Sequence, residues 1–491
     1  MVVIGSAQAV NILISIVRMK VLSILLGPSG VGLLSVYSNF QITVQQASGI
    51  GMSSSGVREI AASRGEPVAL SRVRRVLFAA HLVQGGLAMV VVWLLQNEIA
   101  SLLFGSTAHA TEVGLIGVAV LFALLSTAQT ALLQGMRRIA DLGQITVIAA
   151  FLGTIAGLGA VWLKGEAGLI VFVIVQPLST ALIALRYTRR LAKPINLKLS
   201  LVEIWETWKP LASLGSAFML GGLATTVTLL LVLGRITQEL GLDSAGHFAA
   251  AWGISMTYVG LLLAAMGADY YPRLTEAITN RAAAVDLMND QAQLALAIGG
   301  PILLLLIGLA PIAIALLYSA EFEPSVNLLQ WQTVGNVFKL ASWPLGFAIA
   351  ASARGKTFLA IQLNFNILFL LMLWPTLETF GIQVAGPAFT LAYFLHFLLV
   401  VFLVRNIHGF CWQSLSLGLL GLHATLSILL LSLALTAPFA AALASPIFAG
   451  ITGLFGLRVV LTKVGTEGRL ASRLSGLYTL IGWPIQNIHN D

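Results

Sequence analysis

Gln8-Ala9-Val10-Asn11-Ile12-Leu13-Ile14-Ser15-Ile16-Val17-Arg18-Met19-Lys20-Val21-Leu22-Ser23-Ile24-Leu25-Leu26-Gly27-Pro28-Ser29-Gly30 lies at the start of the chain. It is an apolar run, closed by a turn, of the length that a helix needs to cross a bilayer core, about 20 residues. Two cations sit inside it. Arg18 precedes Gly27 by nine residues, which at about 1.5 Å per residue is about 13 Å of helix. That depth is near the midplane, where a cation costs on the order of 3 kcal/mol and is normally kept for an ion or substrate path. An anionic partner suits a positive pair best. Lys20 is nearer the turn, within reach of the outer surface by snorkelling.

The rest of the chain has the same character. Of 491 residues, 58% are hydrophobic and 9% are charged, against about 25% charged in soluble domains. The fold class expected is an all-α polytopic membrane protein. The long unbroken apolar runs exclude a transmembrane barrel, whose strands alternate. The single cysteine, Cys411, leaves no internal disulfide and no cysteine metal cluster. No basic leader or small-residue cleavage site precedes the first run, so no cleaved signal peptide is expected. The net charge of +8 does not point to nucleic acid, because the cations lie in short loops, as orientation signals do.

Cutting at charges and turn residues gives about fourteen transmembrane helices: 4–26, 31–56, 76–96, 113–136, 142–163, 167–187, 211–234, 247–271, 292–318, 326–350, 357–377, 384–404, 413–436 and 444–463. The last two share one run without Asp, Glu, Lys or Arg and are divided at Thr436-Ala437-Pro438 and Ser445-Pro446. Alternate loops carry Arg58, Arg64, Arg72, Arg74 and Arg75, then Arg137 and Arg138, then the cluster from Arg186 to Lys209. Arg273, Arg281, Arg354, Lys356, Arg405, Lys463, Arg469 and Arg473 continue the series. The opposite loops hold only Lys164 and Arg235, with Glu98, Glu112, Glu166, Glu239, Asp243, Glu321, Glu323 and Glu378. This is the positive-inside pattern and places both termini in the cytoplasm. Trp93, Trp162 and Trp374 fall at outer ends, as interfacial aromatics do.

The longest loop interleaves Leu199, Leu201, Val202, Ile204, Trp205 and Trp208 with Glu203, Glu206 and Lys209, the pattern of a surface-lying amphipathic helix. It divides the chain into an N-terminal six-helix bundle (1–190), a cytoplasmic amphipathic linker (191–210), a C-terminal six-helix bundle (211–405), and two extra helices with a cytoplasmic tail (406–491). The turn Leu26-Gly27-Pro28-Ser29-Gly30-Val31-Gly32 is echoed by Leu240-Gly241-Leu242-Asp243-Ser244-Ala245-Gly246. Both lie between the first two spans of their half. Parallel repeats of this kind are a transporter signature.

Polar residues fall in stripes. Gln8, Asn11, Ser15 and Arg18 repeat at three and four, one helical face. So do Ser38, Gln41, Gln45 and Ser48, and so do Gln332, Asn336 and Lys339. Three stripes ending on or beside cations predict a hydrated cavity lined by Arg18, Lys20 and Lys339. Interhelical hydrogen bonding is the alternative use of the uncharged members. Asp269, the only acid within a span, stands four residues before Arg273, the spacing of a helical ion pair. His81, His247 and His423 are isolated and receive no role. No Walker loop, no paired metal ligands and no catalytic constellation is present, so neither a cofactor nor a metal is expected.

Three stretches carry a family resemblance: Leu25-Leu26-Gly27-Pro28-Ser29-Gly30-Val31-Gly32-Leu33, Tyr270-Tyr271-Pro272-Arg273-Leu274-Thr275 and Trp331-Gln332-Thr333-Val334-Gly335-Asn336-Val337-Phe338-Lys339. The chain resembles the Wzx-type flippases for O-antigen and enterobacterial common antigen, in the multidrug/oligosaccharidyl-lipid/polysaccharide (MOP) exporter superfamily. The family pattern in the third stretch is Trp-Gln-x-x-Gly-Asp-x-x-Lys, and this chain has Asn336 at the acid. The resemblance implies a V-shaped pair of six-helix bundles in the bacterial inner membrane. The implied cargo is an undecaprenyl-diphosphate-linked oligosaccharide, moved from the cytoplasmic to the periplasmic leaflet. It also implies membrane lipids, a polysaccharide polymerase and a chain-length regulator as partners. Arginine and lysine suit a diphosphate through charge-assisted hydrogen bonds. Substrate export, a proton or sodium gradient and the membrane potential are the open choices of driving force. Two other readings compete. A multidrug cation antiporter of the same superfamily would want buried carboxylates. A membrane polysaccharide polymerase or ligase would want a large outer loop.

Overall fold

The structure is a computed structural model that describes residues 2–352, 354–465, 469–480, 483 and 485. The tail expected after Lys463 therefore lies partly outside the described residues. Among them, the regular structure is entirely helical. This is what lipid demands, since each backbone amide in hydrocarbon must find its partner within its own segment. Eleven helical segments are long and apolar enough to cross a membrane, and the chain is a multi-pass membrane protein.

Three of those segments are far longer than one pass. Ser6–Gly49 has 44 residues, Ile139–Thr188 has 50 and Met219–Ala277 has 59. Even the shortest is about 66 Å of helix, against a hydrocarbon core of about 30 Å. Each is broken once by a glycine at positive φ: Gly27 at φ 62°, Gly165 at 60° and Gly241 at 83°. Only glycine reaches these conformations without a Cβ penalty. Counted with these breaks, the segments supply the fourteen passes read from the sequence. The repeat turns at 26–32 and 240–246 are thus the same device used twice.

By packing the chain divides into two compact units, Met1–Ala249 with Leu316–Phe322, and Ala250–Ala315 with Glu323–Asp491. The first contains α1 (Val2–Gly49), α2 (Met52–Ala62), α3 (Pro67–Leu94), α4 (Gln96–Phe104), α5 (Ala110–Gly135), α6 (Ile139–Lys164), α7 (Gly168–Thr188) and the first pass of α8 (Leu201–Ala277). Small residues let these helices approach closely, the usual glue where lipid removes any hydrophobic drive between helices. Gly85 faces Leu121 while Gly117 faces Met89, so α3 and α5 are antiparallel. Gly157 against Phe172 and Gly153 against Gln176 make α6 and α7 a hairpin.

The second pass of α1 and the first pass of α8 run side by side. At one end, a Cβ on Gly246 would stand 2.0 Å from the Pro28 carbonyl, and one on Gly32 would stand 2.1 Å from that of Leu242. At the other end, Gly51 and Gly215 are in equally close backbone contact. Between them Thr226 Oγ1 donates to Gln46 Oε1 at 3.1 Å. The two echoed turns are therefore back to back, and their glycines are what permits it.

Residues 191–200 are extended, and helix begins only at Leu201. Ser200 and Glu203 form a reciprocal cap there, with the Ser200 amide donating to Glu203 Oε2 at 2.8 Å and the Glu203 amide to Ser200 Oγ at 3.3 Å. From this cap α8 runs on into the membrane without a break at Pro210. The amphipathic stretch is thus the exposed first turns of a span; Leu201, Val202 and Trp205 remain exposed. Arg74 and Arg75 pin the extended strap, donating to the carbonyls of Ala192 (2.9 Å) and Leu197 (2.6 Å).

The second unit holds the remainder of α8 with α9 (Arg281–Gly308), α10 (Ala310–Leu317, whose last two residues count with the first unit), α11 (Ser325–Ala351), α12 (Gly355–Leu373), α13 (Leu377–Phe380), α14 (Ala385–His408), α15 (Ser414–Thr436), α16 (Pro438–Val464) and α17 (Arg469–Leu480). Its core joins Leu296, Leu303, Val337, Leu340 and Phe397. The last two spans are divided by Ala437 alone, and Pro438 opens α16 six residues before the expected start. Ser445-Pro446 does not break α16. Proline leaves the carbonyl four residues back without its amide, and Ser445 Oγ lies 3.5 Å from that Ala442 oxygen.

Because Gly246 has no room for a methyl group and Gly260 has nothing within 4 Å, Gly246→Ala should destabilise the full chain by about 1–3 kcal/mol. Gly260→Ala should leave it unchanged. Thermal unfolding in detergent reads the difference.

Candidate functional site

Arg18 is partly buried in the first pass of α1, with Nη2 3.4 Å from Ser15 Oγ and the guanidinium carbon 5.8 Å from the centre of the Phe172 ring. Ser15 and Arg18 thus share one face, as their spacing predicts. Arg18 Nε is buried without a hydrogen-bond partner. None of the ion pairs among the described residues involves Arg18. A cation left in this state retains most of its capacity to attract an anion. Further along the same stripe Asn11 is half-buried and Gln8 is exposed.

Lys20 is placed differently. Its ammonium donates to the Tyr318 carbonyl at 2.5 Å. Tyr318 belongs to the short segment 316–322 that packs with the first unit. In the same segment a Glu321 carboxylate oxygen lies 2.7 Å from where a Cβ on Gly27 would be. Lys20 therefore ties this segment down beside the first turn.

On the second pass of α1, Ser38 and Gln41 are half-buried. Gln41 Nε2 donates to Gln45 Oε1 and Gln45 Nε2 to Thr127 Oγ1, both at 3.3 Å. Gln45 lines a cavity of about 190 Å³ with Gln46, Ser53, Ser54, His81 and Thr127. A second cavity of about 270 Å³ shares Ser53, Ser54 and Thr127 and continues to Thr130 and Gln134. The sequence reading assigned none of these α5 residues. Their signal was available: 127, 130 and 134 recur at three and four, one helical face.

Lys339 lies in the second unit. Its ammonium is 3.1 Å from Met256 Sδ and 5.5 Å from the centre of the Tyr393 ring. It is absent from the described ion pairs. An acid at 336 would be a natural partner three residues away, and asparagine cannot be one. Gln332 and Asn336 are fully buried and bond across to α8, Ser255 Oγ donating to Gln332 Oε1 at 2.8 Å and Asn336 Nδ2 to the Ser255 carbonyl at 3.3 Å. Asp269, exposed, pairs with Arg273 at 3.0 Å, as its spacing predicts.

Residues 1–278 match the family described as "Polysaccharide biosynthesis protein". The chain is 24% identical over 384 residues to the lipid III flippase of Escherichia coli K12, covering 77% of this chain and 91% of that protein. The lipid III flippase of Shigella flexneri matches to the same extent. Among solved structures, an inward-facing multidrug resistance MATE family transporter of the MOP superfamily matches with a TM-score of 0.69 at 13% identity, covering 81% of this chain and 94% of that one. The lipid II flippase MurJ in an inward closed conformation matches with a TM-score of 0.66 at 12% identity, covering 94% and 100%. At such identities the two structures show a shared fold, the MOP fold.

If Gln332 serves as interhelical glue, Gln332→Leu removes the 2.8 Å acceptor of Ser255 and leaves its hydroxyl only the Trp252 carbonyl at 3.5 Å. It should lower stability by about 1–3 kcal/mol, measured as a fall in the thermal midpoint. An unchanged midpoint with lost transport would assign Gln332 to cargo instead.

Proposed function

The chain belongs to the polysaccharide biosynthesis protein family, and from that premise we propose that it is a flippase for an undecaprenyl-diphosphate-linked oligosaccharide, a surface-polysaccharide repeat unit. The observation that carries the reading is Arg18, a membrane-depth guanidinium outside every described ion pair. Such a group suits a dense anion, because guanidinium forms charge-assisted and bidentate bonds to phosphate oxygens. Lys339 is the second cation assigned to the diphosphate. The hydroxyls and amides of Asn11, Ser15, Ser38, Gln41 and Gln45 serve the sugar hydroxyls, while the prenyl tail stays in lipid. The likeness to lipid III flippases over 91% of their length supports a lipid-linked cargo.

The moving parts are the two sequence halves, 1–190 and 211–405, which alternate access to the two faces of the bacterial inner membrane. Both termini are cytoplasmic. A polysaccharide polymerase and a chain-length regulator receive the product. The reading as a multidrug cation antiporter is weaker. An organic cation needs a buried carboxylate, and Asp269 is exposed and already paired. The chemistry asked of the protein is translocation, and no bond is made or broken.

Arg18→Ala and Lys339→Ala should each abolish surface-glycan assembly while membrane levels of the protein stay normal. Arg18→Lys should retain part of the activity if charge matters more than fork geometry. Normal glycan in both alanine variants would remove the assignment. Orientation has its own test in the single cysteine. Cys411 is exposed just after α14, at an end placed in the cytoplasm. A membrane-impermeant thiol reagent should label it in inverted vesicles and leave it unlabelled in intact cells.

A further inference from the structure

We propose that His81 is a proton-binding site in the wall of a polar cavity inside the first unit, a titratable input that the transport cycle can use. The binding itself does not depend on the flippase reading; only its link to the cycle rests on that reading.

His81 lies in the middle of α3 and is fully buried. Its Nδ1 is 2.8 Å from the Leu77 carbonyl. A carbonyl only accepts, so Nδ1 carries the hydrogen and the neutral ring offers the lone pair of Nε2. That nitrogen is buried and has no partner. One turn further on, Gln84 Oε1 is buried and unpartnered as well.

His81 lines the cavity of about 190 Å³. A water needs roughly 10–15 Å³ of such space and two to four polar neighbours. Gln45, Gln46, Ser53, Ser54 and Thr127 supply them. The adjoining cavity of about 270 Å³ carries the polar lining on through Thr130 to Gln134, which is exposed. This is the end of α5 that leads into Arg137 and Arg138, the end placed in the cytoplasm. The backbone agrees. Between α1 and α2 the helix is interrupted at Ile50 (φ 47°) and Gly51 (φ 60°), and Gly49 and Gly51 line the cavity. Interrupted helices mark ion sites in transporters.

The cavity also reaches the second half of the chain. Met219 and Gly222 of α8 complete its wall, beside the Gln46–Thr226 bond and the Gly51–Gly215 contact. A proton arriving on His81 adds a charge next to this contact. Among the described residues, His81 is the only titratable one lining either cavity. Charges on the helices around it lie elsewhere. Arg58 and Glu59 of α2, Arg72 of α3 and Glu206 of α8 line a separate pocket of about 520 Å³. Arg74 and Arg75 of α3 hold the strap, and Glu112 is in the far first turn of α5. The added charge would therefore be uncompensated within the cavity.

His423 provides a contrast within the same molecule. It makes the same bond to a carbonyl four residues back and also leaves Nε2 unpartnered. Its ring is packed against Gly300, 2.2 Å from where a Cβ would stand, and it lines none of the cavities described above. An unpartnered nitrogen alone does not make the site; a place in the wall of a polar cavity sets His81 apart.

The test is nitrogen-15 NMR of the histidine-labelled full chain in lipid nanodiscs, titrated between about pH 8 and 5. One resonance pair should pass reversibly from the neutral Nδ1–H form to the doubly protonated form and be missing in His81→Gln, while His423 stays neutral. Thr127→Val with Thr130→Val should slow proton exchange at His81 by tenfold or more. A His81 that stays neutral across the range overturns the proposal, and so does exchange unaffected by the double valine variant. The wild-type titration needs no variant to fold beyond the one used for assignment. If His81 titrates and no lipid-linked cargo moves, the flippase reading fails alone. If cargo moves and His81 does not titrate, this proposal fails alone.

Discussion

A peptide group in hydrocarbon has no water to bond, so this chain stays helical wherever lipid surrounds it. Among the described residues, several departures from helix have a structural use. Gly27, Gly165 and Gly241 turn one long segment into two passes. The interruption at Ile50 and Gly51 opens the wall of a polar cavity. The same economy applies to charge. Most cations remain at the ends of the passes; of those placed within a pass, Lys20 bonds the Tyr318 carbonyl, while Arg18 and Lys339 fall outside the described ion pairs. Hydrocarbon penalises both unbonded amides and unpaired charge, so a cation kept there without an ion-pair partner is a candidate for binding an anion.

Helix packing follows from the same constraint. Lipid tails are as apolar as leucine, so close contact has to come from small residues and side-chain hydrogen bonds. Gly51 and Gly215 bring the second pass of α1 to backbone contact with the first pass of α8, and Gly32 and Gly246 bring the two glycine turns to backbone contact at the other end. Between these ends the contact includes a single described side-chain bond, Thr226 to Gln46. Ser55 donating to the Leu211 carbonyl and Gln238 to that of Leu102 hold the same pass of α8 to its neighbours within the first unit.

Much of the fold was legible before any coordinates. Hydropathy and the loop charges gave the passes, because length and charge placement are dictated by bilayer thickness and orientation. The repeat turns were legible because a helix reversal needs a residue free to take positive φ, and glycine advertises that. Where Pro446 was expected to help break a helix, Ser445 lies beside the carbonyl that the proline frees, a local compensation that pattern reading does not weigh. In the candidate site, the contact between Arg18 and Ser15 on one helical face was readable from their spacing. Lys20 was not: its partner, the Tyr318 carbonyl, is 298 residues away. His81 was equally hidden. A lone histidine in a span has no periodicity, and its cavity depends on a helix interruption at Ile50, a residue type that rarely adopts positive φ.

The central claim is that the guanidinium at position 18 meets the anionic headgroup of a lipid-linked sugar. Native mass spectrometry of the full chain, extracted gently from membranes that make the glycan precursor, addresses this directly. Wild type should carry a bound species of the mass of a prenyl-diphosphate oligosaccharide, and Arg18→Ala should carry little or none. Equal occupancy in the two proteins, or no such species in either, would contradict it.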